Sequence, residues 1–242
     1  MQNERGQYAD IQLQMGIIKE LGYSISPQSK ILDFGCGGGE RVYEFRKLGF
    51  DAVGVDIKLD EENEFLRLML ANDGYRIPFD DETFDFVYSN QVFEHVRDHK
   101  TALSEIRRVL KPRGFSLHFF PPKLSPIECH TYVPLGGILQ ERKWLLLWAF
   151  LGVRIVFQKG MKFTDVADRN FTYLRQNTCY LTKNDIRRVI LAYFNNITFA
   201  EKYFIKHSYG RSHHIYPLVK ILPFVTTLFS SFHQRVVFFT KD

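Results

Sequence analysis

Ile31-Leu32-Asp33-Phe34-Gly35-Cys36-Gly37-Gly38-Gly39-Glu40 is the stretch on which the fold turns. Apolar residues and one acid run into four glycines within five positions, and an amphipathic segment from Arg41 to Leu48 follows. The pattern predicts a buried strand, a tight turn and a helix start. Glycine lets the backbone take positive φ and lets a ligand lie against bare main chain. The helix behind it offers unpaired N–H groups and the positive end of a dipole. In open α/β sheets, ligands bind in such a crevice at the carboxyl end of a parallel strand. The expected ligand is therefore nucleotide-like.

Working outward, Gly49 ends the helix as a C-cap, and Asp51 to Asp56 reads as a second short strand closing on an acid. Strand, glycine turn, helix, strand and acid make a βαβ unit, with Asp56 falling 21 positions after Gly35. A right-handed crossover sets the two strands side by side in parallel. A compressed third strand is expected around 66–70, a fourth over 84–89 and a fifth over 115–120. Residues 7–22, 99–110, 143–152 and 183–194 read as helices, the last capped by Thr182, and 121–142 as loop. Residues 197–206 and 234–240 read as two more strands. Seven strands alternating with helices imply one doubly wound, mostly parallel α/β sheet with helices on both faces.

The chain has 242 residues with 45% hydrophobic and 24% charged content, which suits a globular core. Its net charge of +5 is spread out rather than clustered, so no nucleic-acid partner is expected. Cys36, Cys129 and Cys179 stand far apart, without zinc-ligand or disulfide-framework spacing, which fits a reducing compartment. The polar, charged N-terminus predicts no signal peptide. The apolar stretches 144–157 and 215–232 fall short of an uninterrupted span. A cytoplasmic protein is expected.

A dinucleotide fingerprint would place its third glycine at position 40 or 42, which are Glu40 and Val42. The spacing present is Asp33-x-Gly35-x-Gly37-x-Gly39. Further on come Asp56, Asp73-Gly74, Ile77-Pro78-Phe79-Asp80 with Phe84-Asp85-Phe86-Val87, Ser89-Asn90-Gln91-Val92-Phe93-Glu94-His95-Val96, and Glu105-Ile106-Arg107-Arg108-Val109-Leu110-Lys111-Pro112-Arg113-Gly114. In order and spacing these resemble the motifs of class I S-adenosylmethionine-dependent methyltransferases. The resemblance covers 30–120 and departs at Arg113, where the family has glycine, a change expected to be harmless on a surface. The stretch between Asp56 and Asp73 is short for a helix plus a strand, so a truncated helix is expected there.

The resemblance implies a Rossmann-like fold, methyl transfer, and S-adenosyl-L-methionine as cofactor, with S-adenosyl-L-homocysteine as product and no metal. It places Asp33, Gly35, Cys36, Gly37, Gly39, Asp56, Ile57, Asp73, Gly74 and Asn90 at the cofactor, Asp56 on the ribose and Asp73 on the adenine amino group. A single domain over 1–242 is expected, with an N-terminal helix or lid (1–29), a cofactor half (30–120) and a substrate-side half (121–242) carrying apolar inserts as a cap. An oxygen nucleophile calls for a base, and His95 and His130 are the candidates; His118 reads equally well as a core residue. The loop Pro121–Pro134 resembles an insert of bacterial sugar, glycan or quinone methylases. Glu128 and His130 are alternate residues and meet only if that loop turns. The expected reaction is O-methylation of a small molecule, sugar or glycan, or lipid-linked acceptor. The alternatives are O- or C-methylation of a lipophilic quinone-type acceptor, or a catalytically silent binding protein. The apolar inserts read first as a lid and second as a shallow contact with the inner face of a membrane. Oligomeric state is left open.

Overall fold

Each side chain of the first strand, β1 (Lys30–Phe34), is buried except the leading lysine, as a strand covered on both faces requires. Around it lie β2 (Asp51–Asp56), β3 (Leu66–Leu68), β4 (Phe84–Asn90), β5 (Leu110–Phe120), β6 (Thr198–Phe199) and β7 (Arg235–Thr240). These belong to a computed structural model that describes residues 2–59, 61–69, 75–209 and 211–242, with side chains from Asp10 onward except that of Arg211. The strands form one seven-stranded sheet in the order β3-β2-β1-β4-β5-β7-β6. Neighbours are parallel except at β7, which runs antiparallel to both β5 and β6. Phe34 sits opposite Val55, and Asp33 opposite Tyr88, so the carboxyl ends of β1, β2 and β4 come together.

The helices are α1 (Gln2–Glu20), α2 (Glu40–Lys47), α3 (His99–Val109), α4 (Arg142–Phe150), α5 (Phe163–Asn177), α6 (Lys183–Leu191), α7 (Glu201–His207), α8 (Arg211–His214), α9 (Tyr216–Ile221) and α10 (Phe224–Phe232). Alternate strand residues feed two cores. Leu32, Phe34, Val87, Val237 and Phe239 pack with Leu103 and Ile106 of α3 and Ile186 and Ile190 of α6. Ile31, Phe86, Tyr88, Leu117 and Phe238 pack with Ile11 and Ile18 of α1, Phe45 of α2 and Ala200. This two-period division is what a doubly wound sheet imposes.

A third cluster stands apart, built by Leu145 and Ala149 of α4 against Val166, Ala167 and Leu174 of α5. This helix pair holds the first of the two apolar stretches expected to form a cap. The last carbonyls of α5 are taken up by the other half of the chain: Arg97 donates to Gln176 and Arg175, at 2.8 and 2.5 Å. A cation at a helix C-terminus also meets the negative end of its dipole.

Four expectations change. Residues 197–206 are not one strand: β6 ends at Phe199 and Glu201 opens α7. α5 was not read from the sequence at all. No helix separates β2 from β3 among the described residues, which is further than the truncation expected. Arg113 is exposed, but its φ of 64° lies in the left-handed region, so a glycine there would avoid a cost of about 1 kcal/mol.

Candidate active site

The glycine turn is pinned to β2 by its own amides. Gly35 and Cys36 N–H both donate to the Val55 carbonyl, at 2.8 and 3.1 Å. Gly35 has φ 80°, and a Cβ there would stand 2.4 Å from a Val92 methyl. Gly37 has φ 53° with nothing near a would-be Cβ, so bare backbone faces open space. Gly39 serves packing instead, since a Cβ on it would meet Leu66. Asp56 closes the crevice: its Oδ2 accepts from Gly37 N–H at 2.8 Å and its Oδ1 from Lys58 N–H at 3.1 Å. Each oxygen keeps capacity for a further donor, such as a ribose hydroxyl.

Two cavities meet at Gly35. The larger, about 340 Å³, lies between Gly37, Asp56 and Ile57 on one side and Val92 and His95 on the other, with Met69 and Tyr75 as apolar walls. That volume is within the usual range of small-molecule pockets, about 300–1,000 Å³. The smaller, about 190 Å³, is bounded by Asp33, Cys36, Glu40, Glu44, Asn90 and Arg41 among others. Desolvation lifts the buried Asp33 carboxyl to about 7, with Arg41 pulling it down and Asp56 and Glu40 pushing it up. Arg41 is itself held by Glu44 at 2.5 Å and by Asp10 of α1 at 2.6 Å, which draws the N-terminal helix over this cavity. The excess of acid suits an ammonium group.

Of the residues expected at the cofactor, Gly35, Gly37, Asp56 and Ile57 line the larger cavity, and Asp33, Gly35, Cys36 and Asn90 line the smaller. Gly39 lines neither. Asp73 and Gly74 lie outside the described residues.

Both expected histidines come together, with His95 on the wall of the larger cavity and His130 beside it. His95 follows β4, and His130 lies in the loop after β5. Their ring centroids are 4.7 Å apart, edge to face. The loop does turn: Glu128 N–H donates to the Val133 carbonyl and Tyr132 N–H to the Glu128 carbonyl. This brings Glu128 Oε1 to 2.6 Å from His130 Nδ1. Burial opposes charge on His130, but hydrogen bonds to Cys129 and Glu128 carry it up to about 10. Burial likewise opposes charge on Glu128, and its bonds with His130, Tyr180 and Thr131 take it down to about 2. His95 is lowered, chiefly by burial, and its Nδ1 contacts the Asn177 carbonyl at 2.6 Å. His118 is a core residue: fully buried, 2.7 Å from Ser89 Oγ and stacked on Phe239.

Sequence reasoning gave no role to Glu94, Tyr180, Tyr173 or Asn177. Glu94 is buried beside His95, and desolvation raises it to about 7. Tyr173 puts its ring 5.5 Å from that of His130. The Phe93-Glu94-His95 run held the one signal for Glu94, an acid next to a candidate base. The other three belong to α5 and the strap after it, and only the folded chain brings them in.

Comparison with known proteins places this architecture. Residues 32–117 match a family described as "Methyltransferase domain". The chain is 37% identical over 93 residues to the demethylmenaquinone methyltransferase of Streptomyces griseus, covering 36% of this chain and 40% of that one. It is 32% identical over 91 residues to the malonyl-[acyl-carrier protein] O-methyltransferase of Salmonella typhimurium, covering 36% of each. The chain thus spans two-fifths or less of these relatives' own length. The crystal structure of an S-adenosylmethionine-dependent methyltransferase from Mesorhizobium loti superposes with a TM-score of 0.54 at 11% identity, over 96% of this chain and 100% of that one, a likeness of fold. Residues 32–117 thus match a methyltransferase domain, and the chain shares the fold of an S-adenosylmethionine-dependent methyltransferase.

Proposed function

We propose that the chain transfers a methyl group from S-adenosylmethionine to an oxygen of a small-molecule, sugar or glycan, or lipid-linked acceptor. The observation that carries this is the pair of cavities joined at Gly35. One is apolar with Asp56 at its lip, and the other is acidic around Asp33. An adenosine and a methionine moiety differ in that same way, so the residues present fit the cofactor.

The cofactor supplies an activated methyl on a sulfonium, ready for direct displacement. Asp56 accepts from the ribose hydroxyls, Gly37 offers main chain to the ligand, and Asp33 faces the ammonium group. What remains for the chain is alignment of the acceptor and removal of its proton. His95 is on the cavity wall and His130 beside it, which supports an acceptor oxygen at this end. The cap reaches the same place through Asn177 and Tyr173 and shields it from water.

A lipophilic, quinone-type acceptor is the second reading. It is supported by the apolar side chains that the cap exposes, Phe157 at 88% and Phe150 at 68%. A silent binding protein is the third, and titration calorimetry separates it. S-adenosylmethionine should bind the wild type, and Asp56→Ala should weaken binding by about tenfold or more, the scale of one charge-assisted hydrogen bond of 1.5–3 kcal/mol. Absence of binding by folded protein would remove the enzyme readings. An unchanged affinity in Asp56→Ala would move the cofactor elsewhere.

A further inference from the structure

Hydrogen bonds are divided unequally between the two carboxylates beside the histidine pair. Glu128 is saturated. Its Oε1 meets His130 Nδ1 and Tyr180 OH, both at 2.6 Å. Its Oε2 accepts from His130 N–H at 3.0 Å and from Thr131 N–H and Oγ1, both at 2.7 Å. Glu94 has none of this. Its side chain is 0% exposed, and neither carboxylate oxygen has a hydrogen-bond partner. Its Oε1 stands 3.9 Å from His95 Nε2, too far for a hydrogen bond. A buried carboxylate left bare is the kind of group that a missing cation explains.

Both imidazoles are already turned for such a cation. His95 Nδ1 lies against the Asn177 carbonyl, and a carbonyl can only accept, so Nδ1 carries the hydrogen there. His130 Nδ1 lies against Glu128 in the same manner. In each ring that leaves Nε2 as the nitrogen for the ion; on His130, which is protonated up to about 10 and whose Nε2 has only Cys129 Sγ at 3.9 Å, the cation displaces the Nε2 proton as it binds. Histidine ligands of metals show this arrangement, one nitrogen on the ion and the other donating to a carbonyl or carboxylate. One ligand atom from each of Glu94, His95 and His130 lies within 4.8 Å of the other two. Some point therefore lies within about 2.8 Å of all three, against about 2.0–2.2 Å for zinc–nitrogen and zinc–oxygen bonds. Small side-chain rotations close the difference.

We propose that Glu94, His95 and His130 form a divalent-cation site, zinc first among candidates, with Glu128 and the Asn177 carbonyl holding the two rings in their ligating orientation. Two imidazoles and a carboxylate with an open position are the ligand set of catalytic zinc. His95 lines the larger cavity, so the open position faces the place given above to the acceptor. The role of the ion rests on that methyltransferase reading and departs from the metal-free enzyme expected from the sequence. An acceptor hydroxyl bound to the cation ionises, and its proton passes to water. The oxygen then forms the new C–O bond as the S–C bond breaks, and that electron pair returns to sulfur.

The test uses untagged full-length protein, stripped with chelator and titrated with zinc ions alone, while S-adenosylmethionine binding is measured in parallel. One zinc per chain is expected, with affinity at least tenfold lower in Glu94→Gln and in His130→Ala and unchanged in the surface control Asp165→Asn. Cobalt in place of zinc should give a visible absorption band in the wild type that both variants lose, with circular dichroism showing each variant folded. Zinc binding equal in wild type and Glu94→Gln overturns the site. Cofactor binding without zinc binding overturns the site and leaves the methyltransferase reading standing. Zinc binding without cofactor binding supports the site and removes that reading.

Discussion

Single residues divide into those that shape the main chain and those that titrate. Gly35 belongs to the first kind. With φ at 80° and Val92 2.4 Å from a would-be Cβ, Gly35→Ala combines left-handed strain with a steric clash. It should cost about 2 kcal/mol or more, read as a lower denaturant midpoint at unchanged slope. A midpoint within error of wild type would show that the turn relaxes freely. Asp33 belongs to the second kind. Desolvation lifts its carboxyl from the usual 3.8 to about 7. Between those values the folded chain keeps a proton that the unfolded chain has released. The stability this group contributes is therefore full below about 4 and is lost as pH rises through about 7. Relative to Asp33→Asn, the wild type should lose stability over that window. Cofactor affinity should rise over the same window, because the ionised carboxylate is what an ammonium group prefers. A wild-type minus variant difference flat with pH would remove Asp33 as the titrating group. The places of Asp33, Gly35, Gly37 and Asp56 around the two cavities were legible in the sequence because they depend on neighbours within one βαβ unit. The closeness of Glu94 to His130 was not, because a strand and a loop separate them in the chain.

Elements were legible where one periodicity ruled and illegible where a tertiary contact overrode it. β1, β2, β4 and α3 follow their apolar spacing. α3 even shows its cap, with Asp98 Oδ1 accepting from Lys100 and Thr101 N–H at 3.1 Å. α5 hides its buried face behind a small residue and an amide: Ala167 is in the cap core, and Asn170 is buried against Gln158 at 2.6 Å. The segment from Ile197 reads as strand through its aromatic and β-branched content, yet only Thr198 and Phe199 pair with β7. The chain then turns into α7, whose first residue, Glu201, is buried against Arg235 of β7. Glu201 and Arg235 have side chains 1% and 6% exposed and meet at 3.3 Å. Burial raises Glu201 and lowers Arg235, and each holds the other charged. Removing one partner from a buried pair strands the other charge, at about 3–5 kcal/mol. Glu201→Ala should unfold at markedly lower denaturant than wild type, whereas the paired change Glu201→Leu with Arg235→Met should recover most of the loss. A single variant as stable as wild type would mean that water reaches the pair.

Across the whole molecule, the sheet and the cap are fixed by different kinds of information. The cofactor half follows from local motifs, and its strands and the parallel pairing of β1 with β2 were readable. The cap follows from long-range contacts. α5 is held by Arg97 and His95 from beyond β4, and no spacing in the sequence announces that. The cap also explains where the surplus of aromatic residues goes. Part of it packs inside the α4–α5 pair, and part is left outside, with Phe157 88%, Phe150 68% and Val156 68% exposed. Lys159 and Lys162 follow within a few positions, and the chain as a whole carries a net charge of +5. No helix among the described residues is long and apolar enough to cross a membrane. Exposed apolar tips beside cations have the chemistry that an anionic lipid surface attracts. Co-sedimentation with vesicles containing phosphatidylserine should therefore pull the protein down at low salt. The bound fraction should fall as salt screens the lysines. Phe157→Ser should weaken binding by about tenfold or more, since burying one phenylalanine ring is worth about 1.5–3 kcal/mol, and its thermal midpoint should stay at the wild-type value because that ring packs on little else. Equal sedimentation with neutral and anionic vesicles, or with wild type and Phe157→Ser, would mean that the exposed aromatic residues serve the acceptor rather than a membrane.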